Sequence, residues 1–254
     1  MQLNIANKIA LITGSSRGIG RTVAEKLAQE GVHVGLVARD KEMLLEVSEG
    51  IRASGGKAEY FVYDLSDISN VSKLVKDLIE RDLVPNILIN NLGGLNGSKD
   101  WDSYEIVEQV FRLNFLAAYE LVRRLLPYFE KMEWGRIVNL GSLSTKTGLN
   151  GIPYVISKSA LETFTIFSAR DIAQRNPNVV MTMVSPGPIA VPGKRLDTLR
   201  KTNPKALQSW LAQNNISAGR LVETEEIADL ILFLVSDMAS YMHGSIVSID
   251  GASY

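Results

Sequence analysis

The sequence predicts an α/β protein: one doubly wound parallel sheet of about seven strands with helices on both faces. Three observations lead there. Short runs rich in β-branched residues alternate along the chain with longer amphipathic stretches. The short runs are continuously apolar, as strands covered on both faces are. The first run passes straight into a helical stretch through a glycine-rich turn, Thr13-Gly14-Ser15-Ser16-Arg17-Gly18-Ile19-Gly20.

In chain order, residues 8–13 read as a strand, 19–29 as a helix, 32–38 as a strand, 41–53 as a helix and 58–63 as a strand. Residues 67–81 form the next helix, with Leu74 and Leu78 on one face, and 86–90 the fourth strand. A long helix is expected over 102–132, kinked or broken near its end by Pro127. Residues 136–140 follow as a strand. A helix over 153–175 opens on Pro153, a residue suited to a first turn. Residues 179–184 are the sixth strand, 224–236 a helix with Glu225 and Glu226 near its positive end, and 246–249 the seventh strand. The segment 186–217, rich in Pro, Gly, Asn and Lys, reads as an irregular insertion, and insertions of that length commonly act as lids. No repeat or linker divides the 254 residues, so one domain spanning 1–254 is expected.

Composition narrows the function. The net charge of -1 offers nothing to nucleic acid or an anionic membrane. The absence of cysteine removes disulfides, thiolate metal sites and thiol nucleophiles, and fits a cytoplasmic protein. Two histidines, His33 and His243, make a histidine-based metal site an unpromising reading, so no metal is expected. The first residues lack the pattern of a secretion signal. The longest apolar runs, such as 230–235, are too short to span a bilayer.

The glycine turn has a physical reading. Its G-x-x-x-G-x-G spacing differs from the G-x-G-x-x-G dinucleotide fingerprint but serves the same need. Gly14 permits a tight exit from the strand, and Gly18 and Gly20 let backbone N–H groups approach a pyrophosphate at a helix N-terminus. The bland alternative is a strand-to-helix turn with no ligand. The second strand ends Val37-Ala38-Arg39, without the carboxylate that holds the ribose 2′-hydroxyl of NAD. Arg39 can instead meet a 2′-phosphate, with Arg17 as a second cation, or it is an ordinary surface cation. NADP(H) is therefore the expected cofactor and NAD(H) the alternative. Tyr154 and Lys158 lie four apart and share a helix face. A free phenol titrates near ~10, and a neighbouring ammonium is expected to lower that value, fitting Tyr154 to exchange a proton with a carbonyl oxygen. Ser142, just past the fifth strand, can polarise the same oxygen.

Taken together, the glycine turn, Asn90-Asn91-Leu92-Gly93, Asn114, Ser142, Tyr154-x-x-x-Lys158, Pro186-Gly187 and Asp250-Gly251 resemble, in order, the short-chain dehydrogenase/reductase family. The nearest-looking branch is the 3-oxoacyl-carrier-protein reductase type. The resemblance implies a Rossmann-like fold and a catalytic set of Asn114, Ser142, Tyr154 and Lys158. It implies cofactor contacts from Gly14, Ser16, Arg17, Gly18, Ile19, Gly20, Arg39, Asp64, Leu65, Asn91, Gly93, Tyr154, Lys158, Pro186, Gly187 and the backbone of Ile189. Lys158 would bond the nicotinamide ribose, Asn114 would hold a water that links Lys158 to solvent, and Asp64-Leu65 would meet the adenine. Asp64 reads equally as a helix cap, and Asn90 equally as a packing residue. A homotetramer is also implied.

Several positions depart from the family. Leu92 replaces an alanine, and Val191 stands where a threonine is frequent. The loop between Ser142 and Tyr154 is one residue shorter. Of the two cations expected to grip an acidic carrier, Arg175 is present and the other is replaced by Glu133-Trp134. The expected function is NADPH-dependent reduction of a small-molecule carbonyl, with a 3-oxoacyl or other anionic substrate suggested by five cations against one acid in residues 188–217. The competing readings are an NAD-dependent alcohol or sugar dehydrogenase working oxidatively, a dinucleotide-sensing protein without catalysis, and, for the insertion, a merely solvated cationic face.

Overall fold

The structure is a computed structural model that describes residues 2–95, 101 and 103–253. β1 (Ile9–Thr13) leads through the glycine turn into α1 (Gly18–Gln29), β2 (His33–Ala38) into α2 (Lys41–Ala53), and β3 (Lys57–Val62) into α3 (Ser69–Glu80). β4 (Ile87–Asn90) precedes α4 (Tyr104–Phe111), a π-helical turn over Arg112–Leu116 and α5 (Ala117–Phe129). β5 (Gly135–Leu140) is followed by the short α6 (Ser144–Thr147) and the long α7 (Ile152–Arg175). β6 (Val179–Pro186), β7 (Ile189–Ala190), α8 (Arg195–Thr202), α9 (Pro204–Gln213), β8 (Val222–Glu223), α10 (Thr224–Leu234) and β9 (Ile246–Ile249) complete the chain.

The main sheet is parallel throughout, in the order β3-β2-β1-β4-β5-β6-β9. The direction of winding reverses between β1 and β4, which opens a crevice at the carboxyl ends of those strands. Alternate strand residues feed two cores. Ala10, Ile12, Val34, Leu36, Ile87 and Ile89 pack against α1, α2 and α10, while Leu11, Val37, Phe61, Leu88 and Ile137 pack against α3, α5 and α7. Burial on both faces explains why the strands carry unbroken apolar runs. Asp40 caps α2 by accepting from the Met43 N–H at 3.1 Å. Glu223 and Glu226 form a capping box at the start of α10.

The structure corrects two expectations. The segment 186–217 is not irregular: it contains α8 and α9, and its base is tied down by the parallel pair β7–β8. Leu207, Leu211, Ile216, Leu221 and Ala190 give it a small core of its own. Prolines and asparagines masked this pattern, yet here they act as boundaries, with Asn203 capping α9 and Pro204 opening it. The long helix is interrupted not at Pro127 but at the π-turn, while Pro127 lies within α5 two residues before its end. Its expected first residue, Asp102, lies outside the described residues. The main sheet has the seven parallel strands expected, and β7 and β8 form a separate pair. Among those residues no helix is long and apolar enough to cross a membrane. None of their His, Asp and Glu side chains gather in threes to hold a metal.

Candidate active site

The carboxyl ends of β1, β4, β5 and β6 bring most of the candidate residues to one crevice. Gly14 and Gly18 both adopt positive φ, +66° and +56°, a conformation that L side chains rarely take. A Cβ on Gly20 would sit 2.5 Å from both Asn91 Nδ2 and Gly14 O, so this position admits only glycine without movement. α1 has no side-chain cap and no acid in its first turn, which leaves its N-terminal N–H groups and positive end toward the crevice. This cradle fits a dinucleotide pyrophosphate; Ser16, Arg17 and Ile19 lie in the same turn, with Arg17 exposed. Val191 reaches back to it, since a Cβ on Gly18 would lie 3.1 Å from Val191 Cγ1.

The turn is braced by groups that the sequence reading assigned elsewhere or passed over. Asn91 Nδ2 donates to Thr13 O at 2.8 Å and Gly14 O at 3.1 Å. Thr13 Oγ1 accepts from the Asn91 and Leu92 N–H groups at 3.1 and 2.9 Å. Ser15 Oγ accepts from Val37 N–H at 2.9 Å. Asn91 is thus a strut between β1 and β4. Asn90 is buried and donates to Asn139, which donates to Thr165, each at 2.8 Å. That chain pins β4, β5 and α7 together and supports the packing reading of Asn90.

Past the end of β2, Arg39 is exposed and its Nη1 lies 4.0 Å from Asp64 Oδ2. Asp64 also accepts from Ser66 N–H and Oγ, at 3.0 and 2.6 Å, so it shapes the turn after β3. The Leu65 side chain is buried in the core, leaving only its backbone available to a ligand. At the far side, Gly187 has no room for a Cβ, which would fall 2.8 Å from Asp250 Cα. Pro186 ends β6, and Ile189 is held in β7 against Val222.

Ser142, Tyr154, Lys158 and Asn114 converge. Ser142 lies close enough to the Tyr154 phenol to act on its protonation, while its Oγ donates to Ser144 Oγ at 3.0 Å. Lys158, 3% exposed, donates from Nζ to Leu140 O at 2.6 Å and lies 5.9 Å from the Tyr154 ring centroid. Burial lowers its pKa to about 8. Burial also raises the Tyr154 pKa, with Ser142 pulling the other way. The expected lowering of the phenol by Lys158 is therefore not found: desolvation outweighs it, and the lysine is directed to a carbonyl. Asn114 sits in the π-turn and is buried. Its Oδ1 accepts from Gly94 N–H and its Nδ2 donates to Gly94 O and Val110 O, all at 2.9 Å. It thereby fixes the Gly93–Gly94 strip, where a Cβ on Gly93 would lie 2.7 Å from Asn114 Oδ1 and 3.1 Å from Lys158 Nζ.

Comparison with known proteins agrees with this geometry. The family model of the short chain dehydrogenases matches residues 8–200. The 3-oxoacyl-[acyl-carrier-protein] reductase of Aquifex aeolicus is 31% identical over a 264-residue alignment that covers 100% of both chains. The structure of L-sorbose reductase from Gluconobacter frateurii, complexed with NADPH and L-sorbose, superposes with a TM-score of 0.90 at 29% identity, covering 100% of this chain and 98% of that one. A 3-oxoacyl (acyl-carrier-protein) reductase from Agrobacterium tumefaciens with NADP bound gives 0.89 at 27% identity, covering 99% and 96%. The fold and these relatives define an oxidoreductase that acts on alcohol and carbonyl groups with a nicotinamide cofactor. The chain belongs to the short-chain dehydrogenase/reductase family and is similar to its 3-oxoacyl-carrier-protein reductase branch.

Proposed function

We propose that this protein reduces a ketone to a secondary alcohol with NADPH, using Tyr154 as proton donor. The observation that carries the reading is the convergence on one spot of buried Ser142, Tyr154 and buried Lys158, whose Nζ lies 5.9 Å from the Tyr154 ring centroid one turn further along α7. NADPH, when bound, supplies the hydride that arrives at the carbonyl carbon. Tyr154 holds a proton on its phenol oxygen and releases it to the carbonyl oxygen, so hydride and proton together make the alcohol. Ser142 donates a hydrogen bond to the same oxygen as charge develops there. Lys158 stabilises the phenolate that remains, and Asn114 keeps the Gly93–Gly94 strip clear of it. Burial raises the phenol pKa, so Tyr154 holds its proton at neutral pH until the carbonyl oxygen receives it.

Gly14, Gly18, Gly20 and the first turn of α1 would hold the pyrophosphate, and Arg39, with Arg17, the 2′-phosphate. The segment α8–α9 would be the substrate lid, within a single domain. Its cationic character is smaller than its composition suggests, because Arg200 and Lys201 both bond Asp197, and Arg200 also bonds Glu223. Asp197 is almost fully buried, and these partners hold its pKa at about 2. Lys194, Arg195 and Lys205 are left exposed to steer an anion. Arg175 is paired with Glu130 and Asp171, which weighs against its gripping an acidic carrier. A small keto-sugar or keto acid therefore fits the reading better than a carrier-bound 3-oxoacyl chain. Phe167, 64% exposed on α7, and Tyr104, 73% exposed on α4, offer apolar surface for a homotetramer, and light scattering at four times the 27.9 kDa chain mass would support it.

The test is a panel of keto-sugars, keto acids, simple ketones and 3-oxoacyl thioesters, followed by loss of NADPH and, in parallel, NADH. Turnover of at least one ketone with NADPH is expected. No turnover across the panel, with NADPH shown to bind, would favour a dinucleotide sensor.

A further inference from the structure

We propose that Asn150 and Ser144 are positioning residues that aim the Ser142 hydroxyl at the substrate carbonyl oxygen. The inference rests on the reductase reading of the site. Three side chains stand in line: Asn150 Nδ2 donates to Ser144 Oγ at 2.9 Å, and Ser142 Oγ donates to the same Ser144 Oγ at 3.0 Å. The Ser144 backbone N–H also donates to Ser142 Oγ, at 3.2 Å. Ser144 is 2% exposed and Ser142 9%, so solvent competes little for these bonds.

A hydroxyl has one proton and two lone pairs, and a pair of hydroxyls can bond in either sense. In this structure the Ser142 hydroxyl donates to Ser144, and the Asn150 amide donates to Ser144 as well, so both lone pairs of Ser144 are filled and its own proton is left to give. The amide thereby makes Ser144 the poorer acceptor and the better donor. When a carbonyl oxygen enters beside Tyr154, that bias favours reversal of the pair: Ser144 gives its proton to Ser142, and the Ser142 proton turns to the carbonyl oxygen. Without the amide the Ser142 proton stays on Ser144, away from the reaction.

The backbone shows how the short loop makes this possible. Gly148, Asn150 and Gly151 all have positive φ, +72°, +78° and +83°. Asn is among the few L residues that accept that region, and here it brings the amide back over α6 to Ser144. Thr145 Oγ1 holds the other side of the turn, within hydrogen-bond distance of Ser142 O at 3.1 Å and Glu162 Oε2 at 3.0 Å.

Four variants test the relay: Asn150→Gly, Asn150→Asp, Ser144→Ala and Ser142→Ala, with Asn150→Asp also made on the Ser142→Ala background. Asn150→Gly keeps a residue at ease with the loop's φ and removes only the amide. Asn150→Asp keeps the shape but presents an acceptor, which draws the Ser144 proton the wrong way. Removing a donor that acts through a second group is expected to lower kcat about tenfold in Asn150→Gly and Ser144→Ala, and at least as far in Asn150→Asp. NADPH affinity by fluorescence titration and KM for the ketone should stay within about twofold, because nothing in the relay binds either. On the Ser142→Ala background Asn150→Asp should cost nothing further. Full kcat in Asn150→Asp, or an equal loss with Ser142 already removed, overturns the relay while leaving the reductase reading intact. Full activity in Ser142→Ala overturns the role of Ser142 and the relay with it.

Discussion

Lys158→Met should make the fold more stable and the enzyme inactive. The wild-type ammonium is buried, and its pKa falls from 10.5 to about 8. At ~1.4 kcal/mol per pKa unit, keeping it charged in the folded state costs roughly 3 kcal/mol below pH 8. Methionine fills similar space without that cost but gives up the ammonium's bond to Leu140 O, worth about 2 kcal/mol. The net gain at pH 7 is then about 1 kcal/mol, or ~2–4 °C in Tm for a chain of this size. The sign with pH follows from proton counting: the folded lysine pKa lies below the unfolded one, so between about 8 and 10.5 the unfolded chain holds more protons and wild-type stability rises with pH. The advantage of the variant is therefore full at pH 7 and shrinks through that window. Urea unfolding of both proteins at pH 7 and at pH 10 measures it. A variant less stable than wild type at pH 7, or an advantage that does not change with pH, would refute the reasoning. The same titration should make NADPH-dependent reduction fall as pH rises past about 8, when Lys158 loses the charge that stabilises the phenolate.

Gly93→Ala should lower kcat at least tenfold, because its Cβ would press on Asn114 Oδ1 and Lys158 Nζ at 2.7 and 3.1 Å; steady-state rates with a Tm measured alongside separate this from unfolding. Arg39→Asp should narrow or reverse a preference for NADPH, since a charged partner of a phosphate contributes ~1.5–3 kcal/mol, about 10- to 150-fold in kcat/KM. Equal kcat/KM for NADPH and NADH in the wild-type enzyme would show that Arg39 does not read the phosphate.

Much of the fold was legible because a parallel sheet writes itself into the sequence as unbroken apolar strands, and Gly14, Gly18 and Gly20 mark a strand-to-helix turn where side chains do not fit. Tyr154 and Lys158 were legible through their helical spacing. What was not legible depends on contacts distant in sequence. The two helices of the lid bury Leu207 and Leu211 against Ala190 and Leu221, and no local pattern in a proline-punctuated segment announces that. The π-turn at Asn114 is set by where its amide must reach, not by helix propensity. The bracing role of Asn91 was not legible, because Thr13 lies beside it only after β1 and β4 pair. The Tyr154 pKa was misjudged for a related reason: a charge four residues away is visible in the sequence, and the burial that outweighs it is not. Ser144 and Asn150 carried a faint signal, a second hydroxyl two residues past Ser142 and an asparagine in a shortened loop, that acquires meaning only from their distances.

The most direct test of the central claim is Tyr154→Phe, measured for NADPH binding by fluorescence titration and for turnover of the ketone found in the panel. The substitution removes one oxygen and leaves the ring. Loss of turnover by ~10²–10⁴, with the NADPH dissociation constant within about twofold of wild type, is the result expected of a proton donor. Turnover within tenfold of wild type would contradict it, and with it the assignment of chemistry to Tyr154.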